Sequence, residues 1–169
     1  MGFKGSEHEM KDHFYLSVKN ESISINLTVT NYKVVYEHDW CNEKHYEKLT
    51  NDLECYYNFN DNDGWGSVES TVSANNISEF ANFFRELIDG KIIEFTFECP
   101  LFHCTVKNIE TDYFFDFKIE DGLTGDWIQI IKENMPRSEI EIIANATFLW
   151  AEQFPVIDEE NPIIKCVEY

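Results

Sequence analysis

The sequence predicts an α+β domain: a mainly antiparallel β-sheet with one apolar face covered by two helices, at about 76–89 and 139–153. Three observations predict it. Aromatic residues are 15% of the 169, as 14 Phe, 8 Tyr and 4 Trp, and such rings suit a strand-rich core. Short apolar or alternating segments recur at close intervals between turn-forming residues. Two stretches switch to helical spacing. The length fits a single domain over 1–169, and a 43% hydrophobic content is enough to build a core despite the charge.

Residues 1–11 are polar and expected to be disordered. Segments 14–18 and 23–29 read as two strands separated by the turn Lys19-Asn20-Glu21-Ser22. Residues 33–51 hold Trp40, Cys41 and His45 but few periodic apolar residues, and are expected to be an irregular insertion. Next, 53–59 and 65–72 form a hairpin around Asn60-Asp61-Asn62-Asp63-Gly64, because Asn, Asp and Gly tolerate positive φ.

Ile77, Phe80, Ala81, Phe84, Leu87 and Ile88 then recur at helical spacing. Asn76 is the expected cap, with Glu79 completing a capping-box-like pair and Gly90 stopping the helix. Strands follow at 92–97, 101–106, 113–119 and 127–131, and their short links imply antiparallel neighbours. Ser138-Glu139-Ile140-Glu141 reads as a capping box opening the second helix, which Pro155 ends. Residues 156–169 form a C-terminal extension with a short strand at 163–167. No sequence repeat is visible.

The 32 acidic and 13 basic residues give a formal charge of −19. The acid is spread: 52–90 carries −7, 109–141 carries −6 and 142–169 carries −4, whereas 91–108 is neutral. Such a balance repels nucleic acid and anionic lipid and attracts basic partners. With only two arginines and no basic stripe, nucleic acid is excluded as an expected partner. No membrane span or signal peptide is visible, and five cysteines at 41, 55, 99, 104 and 166 make no framework. The expected location is the cytoplasm, with reduced thiols. Met1-Gly2 through Ser6 fits the loose myristoylation pattern, which is too short to decide anything.

No chemistry-bearing constellation emerges, so no catalytic, cofactor or metal residues are expected. The 58–64 loop fails as a calcium site, because aligning Gly64 puts Phe59 and Ser70 at required ligand positions. Cys99 and His103 have a zinc-like spacing without a second pair. On a strand, His103 and Cys104 point to opposite faces, leaving Cys104 with Phe102 and Val106 as a small hydrophobe. No Gly-x-Ser-x-Gly element or phosphate-cradling Gly loop is present.

Several pieces together carry a family resemblance: Leu53-Glu-Cys-Tyr-Tyr-Asn-Phe, Gly64-Trp65, Ile77-Ser-Glu-Phe-Ala-Asn-Phe-Phe-Arg-Glu-Leu, Phe97-Glu98-Cys99-Pro100-Leu101-Phe102 and Phe154-Pro155. In this order the chain resembles the WapI-like immunity proteins of bacterial wall-associated contact-dependent toxins, over roughly residues 14–157. The resemblance implies a non-catalytic cytoplasmic protein of the toxin–antitoxin, contact-dependent inhibition type. Its partner would be a basic toxin C-terminal domain, commonly a nuclease, which an acidic surface would complement. Candidate contacts are Asp61, Asp63 and Trp65 at the hairpin tip, with Asp116, Glu120, Asp121 and Asp126 around the later strands. The alternatives are an acidic nucleic-acid mimic or adaptor for another basic protein, and a small-ligand-binding protein.

Overall fold

The structure, a computed structural model, describes residues 14–20, 23–61, 64–122, 124–160 and 164–167. The elements run β1 (Phe14–Lys19), β2 (Ser24–Asp39), β3 (Lys44–Asp61), β4 (Gly64–Ser73), α1 (Ala74–Ile88), β5 (Glu94–Glu98), β6 (Phe102–Ile109), β7 (Asp112–Glu120), β8 (Trp127–Pro136), α2 (Arg137–Gln153) and β9 (Ile164–Val167). The predicted α+β class, with mainly antiparallel strands and two helices, is what the chain adopts. The strands form two sheets: β1-β2-β3-β4, with β9 added on β3, and β5-β6-β7-β8. All their pairings are antiparallel.

The order is a structural repetition that the sequence did not disclose: four strands and a helix, twice. In each half the fourth strand passes into its helix with no intervening loop, at Ser73/Ala74 and at Pro136/Arg137. Strand patterning explains the sheets. On β7, Tyr113, Phe115, Phe117 and Ile119 are buried in alternation with half-buried Phe114, Asp116 and Lys118. On β3, Leu53, Cys55, Tyr57 and Phe59 are buried in alternation with Glu54, Asn58 and Asn60. Each sheet thus turns one apolar face inward and one polar face to solvent.

The helices tie the halves together. α1 packs on β3 and β4 of its own half and on β5 of the other, while α2 packs on β7 and β8 and reaches β1. The centre is an aromatic cluster. Phe80 of α1 lies 4.8 Å from Phe97 and 5.1 Å from Phe102, ring centre to ring centre, and Phe84 lies 5.0 Å from Phe95. Edge-to-face and offset rings of this kind add to the area they bury. Cys104 is buried with Phe102 and Val106, as expected, and His103 lies on the opposite face of β6.

Three local expectations need correction. Residues 33–51 are not an irregular insertion. They are the distal parts of β2 and β3, paired from Val34↔Leu49 to Asp39↔Lys44, with β9 added over His45–Lys48. No residue of 33–50 is buried, so neither face of this ribbon carries an apolar period and the pattern gave no strand signal. Its turn is built by Asp39, whose carboxylate accepts from Cys41 N at 3.0 Å and Asn42 Nδ2 at 2.8 Å. Those bonds, the Asn42 one foremost, hold the Asp39 carboxyl below the usual carboxylate range.

The cap of α1 is Ser73 rather than Asn76. Ser73 Oγ accepts from Asn76 N at 3.0 Å, and Ser73 N donates to Asn76 Oδ1 at 3.3 Å. The helix starts earlier because buried Ala74 follows β4 directly. At α2 the expected Ser138 cap is not made: the preceding residue is extended Pro136, and no side chain caps the helix. Glu139 instead meets Lys132 at 2.6 Å, and Glu141 meets Arg137 at 2.9 Å.

Beyond α2 the extension is anchored as well as stranded. Tyr32 Oη donates to Pro155 O at 2.5 Å. Buried Asn51 donates through Nδ2 to Ile157 O at 3.0 Å and accepts from Ile157 N at 2.7 Å. The short strand expected at 163–167 is observed as β9. The stretch 1–11 lies outside the described residues.

Candidate functional site

Two hairpin ends meet at one side of the molecule. One is the β3–β4 tip, the other the β7–β8 turn. Tyr57 joins them: its hydroxyl donates to Glu120 O and accepts from Gly122 N at 3.1 Å. Burial, foremost, raises the Tyr57 hydroxyl above its ordinary pKa. The approach is close enough to require glycine. A Cβ on Gly122 would lie 2.9 Å from Val68 Cγ1 and 3.5 Å from Tyr57 Oη. The β7–β8 turn is closed by Asp121 N donating to Asp126 O at 2.6 Å and Gly125 N donating to Asp121 O at 2.8 Å. Gly125 sits at φ +76.

Between these ends lies an open groove of about 550 Å³. Ile23, Phe59 and Ile128 form its apolar part, and Gly64, Trp65, Trp127, Asp121, Thr124, Asp126 and Gln129 complete the lining. Phe59 lies across from Gly66 in the β3–β4 register, and its ring occupies the space a side chain there would fill. Trp65 is 80% exposed and Trp127 44%. They hold comparable places: each stands at or next to the start of the fourth strand of its half. Trp127 is steadied on the outer face of the second sheet, with Lys118 Nζ 5.0 Å from its ring centre and the His103 ring 4.9 Å away.

The seven sequence candidates separate on this surface. Trp65, Asp121 and Asp126 line the groove together. Glu120 stands beside it, paired with Trp127 in the β7–β8 register. Asp116 does not join them. It lies on the outer face of the second sheet, where it accepts from Gln129 Nε2 at 2.9 Å. The backbone of Asp61 pairs with Gly64 at the tip, but its side chain, and the whole of Asp63, lie outside the described residues. Sequence reasoning missed Trp127, Gln129 and Thr124. A usable signal was present, since Trp127 follows a Gly-containing acidic turn just as Trp65 does.

The titratable groups elsewhere are set for burial. Burial, with a contribution from Cys99, pushes the Cys55 thiol up to about 12, and burial likewise raises Cys99 and Cys104. Cys99 also lies in the β5–β6 turn, where its thiol faces Phe102 O at 3.4 Å. No helix among the described residues is long and apolar enough to cross a membrane.

No family model matches the chain, and no curated protein matches it. The similarity to WapI-like immunity proteins therefore rests on its short motifs alone. Solved structures do match. The plant transcriptional regulator PBF-2 is 10% identical, with 84% of this chain and 82% of that one covered and a TM-score of 0.44. WHY1 from Arabidopsis thaliana is 12% identical, covering 84% and 90% at 0.45. WHY3 from Arabidopsis thaliana is 10% identical, covering 83% and 87% at 0.43.

These neighbours include a transcriptional regulator, where the sequence had suggested a toxin inhibitor. The expected immunity function is corrected on this finding, together with its toxin–antitoxin and contact-dependent inhibition keywords, its toxin partner and the exclusion of nucleic acid. Physical reasons accompany the correction. The motifs behind the immunity reading are local fixtures of the fold: Phe97–Phe102 builds the β5–β6 turn, closed by Cys99 N donating to Phe102 O at 3.0 Å, and Phe154 caps α2. The exclusion of nucleic acid rested on net charge, on the two arginines and on the lack of a basic stripe along the sequence, none of which describes the separate faces of the folded chain. At such low identity and TM-score, the activities of these neighbours are not transferred to this chain.

Proposed function

We propose that this chain is a non-catalytic binding domain whose two-tryptophan groove takes a lysine- or arginine-rich segment of a protein partner. The observation that carries this reading is the convergence of Trp65, Trp127, Asp121 and Asp126, from both halves of the chain, on one open groove. Exposed indoles are the side chains most often found as binding anchors, and their faces attract ammonium and guanidinium groups. Neighbouring carboxylates favour the same ligands and disfavour anionic ones. The charge of −19 accelerates encounter with a basic partner at low salt. Catalysis lacks comparable support, because the buried thiols are pushed away from the thiolate form.

The test is titration with a lysine/arginine-rich peptide, followed by tryptophan fluorescence and calorimetry. Trp65→Ala should weaken binding by about 2 kcal/mol, the size of an interface hot spot. General attraction to a polycation is separated by a control of equal charge. Asp121→Asn with Asp126→Asn should weaken binding about tenfold, but Glu79→Gln with Glu86→Gln on the exposed face of α1 less than twofold. Equal losses in both pairs would refute a dedicated groove. A single-stranded oligonucleotide forms the second arm. Binding that disappears in Trp65→Ala and Trp127→Ala would assign the indoles to base stacking and overturn the proposal.

A further inference from the structure

A second surface stands on different residues, those of the β2–β3 ribbon. β1 pairs with β2 only as far as Val29. Among the described residues, no strand pairs with that edge of β2 from Thr30 to Asp39, although β2 stays in regular register with β3 from Val34 to Asp39. An open strand edge is a template for another strand, and proteins that keep one in isolation guard it with charged side chains, proline, a bulge, a short strand or a covering element. This edge has no proline, and its charges, Lys33, Glu37 and Asp39, flank an uncharged Val34-Val35-Tyr36. Tyr36 is 69% exposed and Val35 39%, and at the ribbon turn Trp40 is 83% exposed, with its ring 4.1 Å from His38.

We propose that this edge pairs with the same edge of a second copy of the chain, antiparallel about a two-fold axis at Val35 or Tyr36, to make a continuous sheet across a homodimer. Charge favours a second copy as the occupant. In a two-fold pairing centred on Val35, Lys33 faces Glu37 of the second copy; centred on Tyr36, it faces Asp39. Both centres set an acid against Lys33 twice, and the Val35 centre also sets Val34-Val35-Tyr36 against itself. Two acidic chains also oppose each other little along the ribbon. Residues 33–50 carry three lysines against four acids, within a chain whose total is −19. A lysine-rich strand from another protein would find Lys33 repulsive and only Glu37 and Asp39 attractive.

The test is mass by light scattering and sedimentation, across a dilution series of the full chain. Wild type should run at twice 19.9 kDa and dissociate on dilution. Lys33→Glu, and separately Glu37→Lys with Asp39→Lys, should each raise the dimer dissociation constant about tenfold, and the triple variant should restore it. These are exposed or half-exposed positions, and circular dichroism would verify that each variant folds. Hydrogen exchange at 34–39 should lose protection as the dimer dissociates. A wild-type monomer at every concentration overturns the proposal, whether the edge exchanges freely or is protected by the chain's own N-terminal residues. So does a dimer indifferent to Lys33→Glu, or one that the triple variant fails to restore.

Discussion

The two halves of the molecule share an order of elements and use it differently. In the second half, strands of 5, 8, 9 and 10 residues stay on the body. In the first, strands of 16 and 18 residues run past it. The proximal part of that long pair, from Leu53 to Phe59, buries one residue in two. The distal part, 33–50, buries none. The same hairpin is therefore core at one end and surface device at the other. Local secondary structure does not require a hydrophobic face, only a partner strand for its hydrogen bonds. Stability resides where the halves interlock, and exposed aromatic side chains such as Trp40 and Trp65 stand where they project.

Substitutions can break that contrast. The largest effect is expected at Phe80, fully buried and in ring contact with Phe84, Phe97 and Phe102. Phe80→Ala should cost about 3–5 kcal/mol in urea unfolding, because it removes a large side chain and leaves a cavity between the halves. Both sheets should lose stability together. A loss confined to the first half, with β5–β8 still protected from hydrogen exchange, would show that the halves are less interlocked than their packing indicates.

Tyr57→Phe is expected next, at about 1–3 kcal/mol, because Glu120 O and Gly122 N both lose a partner near the interior. It should also change the fluorescence of Trp127 by loosening the β7–β8 turn; an unchanged emission would disconnect the groove from this sheet-to-sheet link.

Alkali should act on both halves at once. Cys55 and Tyr57 belong to the first and Cys99 and Cys104 to the second, and burial raises all four in the folded state. A raised folded pKa contributes stability that is complete below the unfolded value and lost as pH rises through the folded one. For Cys55 that window runs from about 9 to about 12. Urea midpoints should hold at neutral pH and fall above pH 9, and a rise in that range would contradict the burial of these groups. The smallest effect belongs to the ribbon. Trp40→Ala should change monomer stability by less than about 0.5 kcal/mol, as for other exposed sites, although it removes the largest side chain of the turn.

What could be read from the sequence tracks burial. The 53–72 hairpin and the helices were legible because Leu53, Cys55 and Tyr57, or Ile77, Phe80 and Phe84, alternate with polar residues at the period of their element. The ribbon was illegible for the converse reason: Val34, Tyr36 and His38 have no core to face. The division into two sheets was hidden too, since alternation tells which face of a strand is buried and not which strands share a sheet. Trp65, Asp121 and Asp126 could be picked out singly as turn residues. Their meeting in one groove depends on the bonds of Tyr57 with Glu120 and Gly122, residues more than sixty positions away, and no local pattern encodes a contact at that separation.

The cross-packing of the helices bears on how the chain must be made. α1 leaves the ribosome before any residue of β5, yet Phe80 and Phe84 find their ring partners in Phe95, Phe97 and Phe102. During synthesis the first ninety residues therefore carry a helical segment whose apolar stripe β3 and β4 cover only in part until the second sheet follows. A break in the connection at Gly90–Lys91 would not release two modules able to fold apart. It would give two fragments, each lacking part of its own interior.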